Sequence, residues 1–191
     1  NLDAPIIFNT YQCYMKIAPQ RLRNDINRAK VEGWVWAGKI VRGAYLNQER
    51  STAAEYNYVS PIHETKEDTD ECYNTVALEI LRELEENPAS KLGALFGTHN
   101  QESIEVVTKT IVEKDLNAAR VSFAQLLGMA DHLTVPLARA GFHTFKYVPY
   151  GPVKETIQYL SRRAQENSSI LAGTGPDEKM QWLELRRRLR L

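Results

Sequence analysis

Five short apolar runs in this 191-residue chain are each followed or flanked by polar residues, and these clusters hold the side chains best suited to chemistry. After Ile6-Ile7-Phe8 come Asn9, Thr10, Tyr11 and Gln12; around the second run stand Lys39 and Arg42-Gly43-Ala44-Tyr45. Thr98-His99-Asn100 follows the third run, Gln125 the fourth, and the fifth carries Lys146-Tyr147-Val148-Pro149-Tyr150-Gly151. Parallel α/β folds place their ligands at the carboxyl ends of strands, which is where these clusters fall.

Lys39 and Arg42 are three apart, so within a strand they point to opposite faces, and only the strand's end lets both reach one ligand. They are otherwise ordinary surface cations. Thr98-His99-Asn100 precedes a helix start, where backbone N–H groups favour an anion such as a phosphate. His99 alone reads equally well as a satisfied turn histidine, and with no second ligand at metal spacing no metal is expected. Tyr159, Arg162, Arg163 and Glu166 share one face of a late helix at spacings of three, four and seven. Read plainly, that face is solvated, with Glu166 paired to an arginine across a turn. Alternatively the helix lies over the mouth of the fold and two guanidiniums make a fork for a substrate carboxylate.

The elements that must position these groups alternate. Strands are expected around Ile6-Ile7-Phe8, Lys39 to Arg42, Leu92 to Phe96, Arg120 to Phe123 and Thr144 to Val148, two-sided and short as parallel strands are. Between them, helical spacing links Leu22, Ile26 and Ala29; then Val76, Ile80, Leu81 and Leu84; then Ile104, Val107 and Ile111, with Asn100 or Ser103 near the start. A fourth helix is expected to hold Leu126, Leu133 and Leu137 around Pro136. A fifth runs from about Pro152 with Val153, Ile157, Leu160 and Ala164 toward the core. Glu49 to Ser60 reads as an extra helix and Pro61 to Glu71 as an exposed insertion loop. Asp177 to Leu191 is helical, either docking Trp182, Leu185 and Leu189 on apolar surface or turning its arginines to anionic lipid.

This rhythm predicts a parallel sheet, either doubly wound or a barrel, in a single domain over 1–191. Five strands cannot close an eight-stranded barrel, so the barrel reading implies three more units before this chain and a longer protein. Twenty-four Lys plus Arg balance twenty-four Asp plus Glu. That balance gives no global field for nucleic acid, so none is expected as a partner. No apolar run approaches the roughly 20 residues of a membrane-spanning helix, and no internal repeat or low-complexity segment is visible. Cys13 and Cys72, far apart and outside any CxxC, read as reduced apolar side chains.

Six of the motifs together resemble proline dehydrogenase, in its eukaryotic mitochondrial branch. They are Asn9 to Lys16, Lys39 to Tyr45, Gly97 to Asn100, Phe123 to Met129, Lys146 to Gly151 and Tyr159 to Asn167, in the family's order and with compatible spacing. The resemblance covers nearly the whole chain. It implies a (β/α)8 barrel with FAD at its carboxyl face and a last helix set on top, of which this chain supplies about the last five units.

By that resemblance Arg162 and Arg163 bind the proline carboxylate, Glu166 lies near them, and Tyr147, Tyr159, Leu126 and Tyr45 wall the substrate. Gln12, Lys39, Arg42, Gly43, Ala44, Thr98, His99, Asn100, Gln125 and Glu166 face the flavin or its ribityl-diphosphate tail. Lys39 and Tyr147 are the residues expected nearest the reaction. Two Arg forks suit a carboxylate, an apolar ring wants aromatic and aliphatic walls, and a cation stabilises a reduced flavin ring. The implied reaction takes L-proline to Δ1-pyrroline-5-carboxylate by hydride transfer from C5 to FAD, with a quinone as electron acceptor. The implied location is the matrix side of the mitochondrial inner membrane. The bulk of Tyr147 favours proline over 4-hydroxyproline; a hydroxyproline dehydrogenase, or a non-catalytic half-barrel needing its N-terminal complement, stands as the alternative.

Overall fold

A computed structural model of the chain describes residues 5–166 and, beyond them, Trp182, Leu185, Arg186 and Leu189; the side chains of 164–166 are outside the description. The apolar runs become five parallel strands in the order β1-β2-β3-β4-β5. They are β1 (Asn9–Gln12), β2 (Ala37–Val41), β3 (Gly93–Gly97), β4 (Val121–Leu126) and β5 (His143–Tyr147). Each connection is a helical crossover, as a parallel pair requires. The helices are α1 (Ala18–Glu32), α2 (Leu46–Glu55), α3 (Lys66–Glu86), α4 (Gln101–Glu113), α5 (Asp131–Arg139) and α6 (Val153–Glu166), with α2 and α3 both between β2 and β3.

Local chemistry sets the helix ends. Gly33 closes α1 at φ 75, a left-handed position that suits glycine. Thr65 opens α3 with a reciprocal capping box: its hydroxyl accepts the Asp68 N–H and the Asp68 carboxylate accepts the Thr65 N–H. Asn100 opens α4 by accepting the Ser103 N–H at 2.9 Å.

Register fixes which face each strand residue takes. Tyr11, Ile40, Phe96 and Phe123 lie side by side across β1 to β4. All four are buried toward the helices, together with Leu22 and Ile26 of α1, Val76 and Ile80 of α3, Ile104 and Val107 of α4, and Leu133 and Leu137 of α5. Each fully buried side chain of this kind contributes about 1.5–3 kcal/mol. Alternate residues occupy the opposite, inner face. Lys39, Leu95 and Ser122 make one row there, and Gln12, Val41, Gly97, Ala124 and Phe145 the next.

Several sequence expectations change. Ile6, Ile7 and Phe8 precede β1 and are exposed; the strand is the more polar Asn9–Gln12, which pairs with β2. Residues 61–71 are not a loop throughout, because α3 begins at Lys66 and buries Thr69, while Ile62 is buried and bridges Met15. The extra helix spans Leu46–Glu55 rather than reaching Ser60. Leu126 belongs to β4, not α5, and Arg120 to a single 3₁₀ turn before β4. Val153, Ile157 and Leu160 of α6 are exposed, so the apolar face of that helix is not the one against the sheet. Most of Asp177 to Leu191 lies outside the described residues; Trp182, Leu185 and Leu189 are helical and exposed. Among the described residues no helix is long and apolar enough to cross a membrane.

Candidate active site

The inner face at the carboxyl ends of the strands carries a continuous chain of side-chain contacts. Lys39 rises from β2, and its Nζ stands 5.8 Å from the centre of the Tyr147 ring on β5. Tyr147 packs on Tyr159 of α6, with ring centres 5.8 Å apart and planes tilted by 40°. One turn along α6, the Arg163 guanidinium lies 5.3 Å from the Tyr159 ring and 5.9 Å from that of Tyr45, and Nη2 donates to the Ala44 carbonyl at 3.4 Å. Helix α6 therefore lies over the strand ends, joined to β5 on one side and to the segment after β2 on the other. It turns its polar face inward. Cations near tyrosine rings add electrostatic attraction to the Tyr147–Tyr159 ring contact on this face.

The floor beneath is low. Gly97 and Ala124 sit side by side between Val41 and Phe145. A Cβ on Gly97 would come within 3.1 Å of Val41 Cγ1 and 3.9 Å of Lys39 Cε, so the lysine stem passes over the glycine. A flat ring can lie on such a shelf, with an ammonium at its edge. Gln12 is half-buried in the same row, and Leu126 pairs with Tyr147 on the wall.

His99 ties this wall to β3: its Nε2 accepts the Leu126 N–H at 3.0 Å, which fixes that nitrogen as the unprotonated one. Gly43 takes φ 137 with the buried Tyr14 ring directly beneath, where a Cβ would fall 1.5 Å from Tyr14 Cδ1. The backbone of Gly43 and Ala44 is thereby held close to the site.

Other expected residues stand elsewhere. Lys39 and Arg42 do point to opposite faces, and they do not converge. Arg42 turns outward, where Nε pairs with Asp70, Nη1 donates to Thr98 Oγ1 at 2.7 Å and Nη2 to Ser103 Oγ at 2.9 Å. Gln125 is buried on the helix side of β4, donating to the Thr98 carbonyl and accepting from the Thr134 hydroxyl at 2.9 Å. The hydroxyl of Thr98 is likewise committed to protein, and Asn100 to its cap. Arg162 is exposed, whereas Arg163 is half-buried among Tyr45, Tyr159 and the Ala44 carbonyl. Glu166 falls on α6 with its side chain outside the description.

Sequence reading missed Asp70 and Thr134 and gave Ser103 only a place near a helix start, though all three are partners that hold these groups. Each lies on a helix as an unremarkable polar residue, and only the Lys66–Asp70 spacing of four gave any sign. Burial pushes the Asp70 carboxyl up, but its ion pairs with Lys66 and Arg42 outweigh this and hold it below the usual range.

Five parallel strand-helix units, with polar side chains gathered at the carboxyl ends under a capping helix, make a segment of a (β/α)8 barrel, a fold whose ligand sites lie at that end. The chain belongs to the proline dehydrogenase family, whose sequence signature matches residues 2–174. It is 46% identical over 192 residues to human proline dehydrogenase 1, mitochondrial, covering 100% of this chain and 32% of that protein. It is 37% identical to the hydroxyproline dehydrogenase of Xenopus laevis, over 99% of this chain and 41% of that one. The chain thus spans only about a third to two-fifths of the length of such relatives. Among solved structures, proline utilization A from Bdellovibrio bacteriovorus, inactivated by N-propargylglycine, superposes with a TM-score of 0.74 at 23% identity, over 83% of this chain and 16% of that one. A bifunctional proline utilization A protein gives 0.72 at 25% over the same shares.

Proposed function

We propose that this chain is the carboxyl-terminal part of the barrel of a mitochondrial, FAD-dependent dehydrogenase that oxidises L-proline to Δ1-pyrroline-5-carboxylate. The observation that carries the reading is the unbroken contact chain Lys39–Tyr147–Tyr159–Arg163–Tyr45, which sets two cations and three tyrosines at the strand ends beside the Gly97–Ala124 shelf. A small amino acid with an apolar ring and a carboxylate suits that setting: the tyrosines and Leu126 wall the ring, and Arg163 meets the carboxylate, with Arg162 as second arm of the fork.

The residues present also fit a flavin. Gly97 and Ala124 leave room for a flat ring beside Lys39, Gln12 lies in the same row, and the α4 N-terminus after Thr98-His99-Asn100 suits a phosphate. FAD when bound supplies the acceptor for the hydride leaving C5 of proline, while the proline nitrogen releases its proton to solvent and the electron pair passes on to a quinone. The ammonium of Lys39 favours added negative charge on a ring above Gly97. Tyr147 and Tyr159 hold the substrate ring in one orientation and keep water from it, which is where positioning lowers the barrier. Electron transfer to a membrane quinone calls for peripheral association with the inner membrane; the matrix side is what the family resemblance implies.

The test uses the full-length protein that contains this segment. It should purify with the visible absorption bands of a flavin, and anaerobic L-proline should bleach them. Protein that folds but retains no flavin after reconstitution with FAD would overturn the proposal. If 4-hydroxyproline bleached it faster than proline, the hydroxyproline reading would replace it.

A further inference from the structure

Arg42 is held from the helix side of the sheet, by partners that lie away from its inner face. Its guanidinium is 4.4 Å from the centre of the buried Tyr73 ring. Its three nitrogens serve three separate elements: Asp70 on α3, Thr98 in the turn after β3, and Ser103 in the first turn of α4. Thr98 Oγ1 also accepts the Asn100 N–H at 3.0 Å, and Asn100 Oδ1 accepts the Ser103 N–H at 2.9 Å. Arg42 therefore grips the 98–100 turn at its start and, through Ser103, at its end. A planar fork of fixed spacing can hold two hydroxyls and a carboxylate at once; a lysine ammonium has its three donors on one nitrogen and cannot span acceptors set apart along the fork. Asp70 sets the fork's orientation and is itself held by Lys66.

We infer that Arg42 is a positioning residue: held by Asp70, it fixes the Thr98-His99-Asn100 turn so that the N-terminus of α4 is set to receive the phosphates of the flavin nucleotide, without touching them. This rests on the flavin reading above. It makes cofactor affinity depend on Asp70, a helix residue that faces away from the inner surface, and it separates cofactor retention from proline binding, which belongs to α6 and β5.

The experiment compares full-length wild type with Asp70→Asn, Arg42→Lys, Arg42→Gln and the Asp70→Asn/Arg42→Gln double variant. FAD dissociation constants are read from quenching of flavin fluorescence on titration of the apoprotein. Asp70→Asn and Arg42→Gln should each weaken FAD by about tenfold, as loss of an outer partner commonly does, and Arg42→Lys by an intermediate factor. The double variant should be no weaker than Arg42→Gln alone, because both changes break one unit. The KM for proline in flavin-saturated Asp70→Asn should stay within about twofold. If Arg42→Gln weakened FAD while Asp70→Asn left it unchanged, Arg42 would be a direct ligand and the inference would fail. Unaltered FAD affinity in both single variants would also overturn it. Should Arg42→Gln not accumulate, Asp70→Asn and Arg42→Lys decide the matter by the same criteria. Wild type that binds no FAD would bring down the flavin reading itself, a result distinct from the variant comparison.

Discussion

Arg162 and Arg163 are sequence neighbours with opposite surroundings, because consecutive residues on a helix are turned by about 100°. Arg163 is set among Tyr45, Tyr159 and the Ala44 carbonyl, whereas Arg162 is exposed. Replacing Arg163 by Met should therefore raise the proline KM of the full-length enzyme by about tenfold or more, the value of one charge-assisted hydrogen bond, with flavin still bound. Steady-state kinetics on the flavin-replete variant would check this, and an unchanged KM would remove Arg163 from carboxylate binding. Tyr147 offers a test of a different kind. Its ring stands between Lys39 and Tyr159, at the wall of the proposed proline site, so Tyr147→Ser opens space for a hydroxyl on the substrate ring. The ratio of kcat/KM for 4-hydroxyproline to that for proline should rise by about tenfold, the scale set by relieving one steric exclusion. A constant ratio would argue that the wall lies elsewhere. Residue type and order pointed to both positions. They could not show that Arg42 and Gln125 turn to the helix side, because facing is fixed by strand ends, and the sequence places those ends only to within a residue or two.

Element α3 shows where sequence reading fails and why. Pro61 and a run of charged residues mimic an exposed loop, yet the capping box of Thr65 and Asp68 starts a 21-residue helix inside that stretch. The Thr-x-x-Asp pattern was there to be read, but acidic residues in a first turn look like a solvated loop until something apolar follows. The helix matters to the site because Asp70 lies in its second turn, under Arg42. A carboxyl held below its ordinary value of 3.8 stabilises the fold fully above that value and loses its contribution as pH falls through the depressed one. The urea midpoint of wild type should thus exceed that of Asp70→Asn at neutral pH, and the gap should close on acidification well below 3.8. A gap independent of pH would mean that the pair acts by packing rather than charge. The segment after β2 is equally constrained. Gly43→Ala would force a methyl onto the buried Tyr14 ring at a left-handed backbone position, at a cost of roughly 3 kcal/mol. Thermal unfolding of that variant should show the loss directly. The strands were the most legible elements, since short apolar runs bounded by glycine and helix caps have few other uses; β1 was the exception, displaced because Ile6 to Phe8 are the more apolar residues but Asn9 to Gln12 make the ladder with β2.

At the scale of the whole molecule, the described residues cover the helix side of the sheet and leave its inner side open. Helices α1, α3, α4 and α5 seal the outer face, while on the inner side Phe145 and Tyr147 remain 55% and 46% exposed and Lys39 is half-buried. Strands β1 and β5 are both at edges of the described sheet, and Ile6 and Ile7 beside β1 are 71% and 86% exposed. A parallel sheet is stable when both faces and both edges are covered, so this surface suits further strands, which the barrel reading proposes as its complement. The 191 residues expressed alone should then self-associate through these edges, eluting on size-exclusion chromatography as a broad, concentration-dependent species. Coexpression with the amino-terminal remainder of the full-length protein should convert it to a sharp, smaller complex that binds FAD. A sharp monomer from the 191 residues alone would show that the inner face needs no complement, and the barrel-segment account of the site would have to be given up along with it.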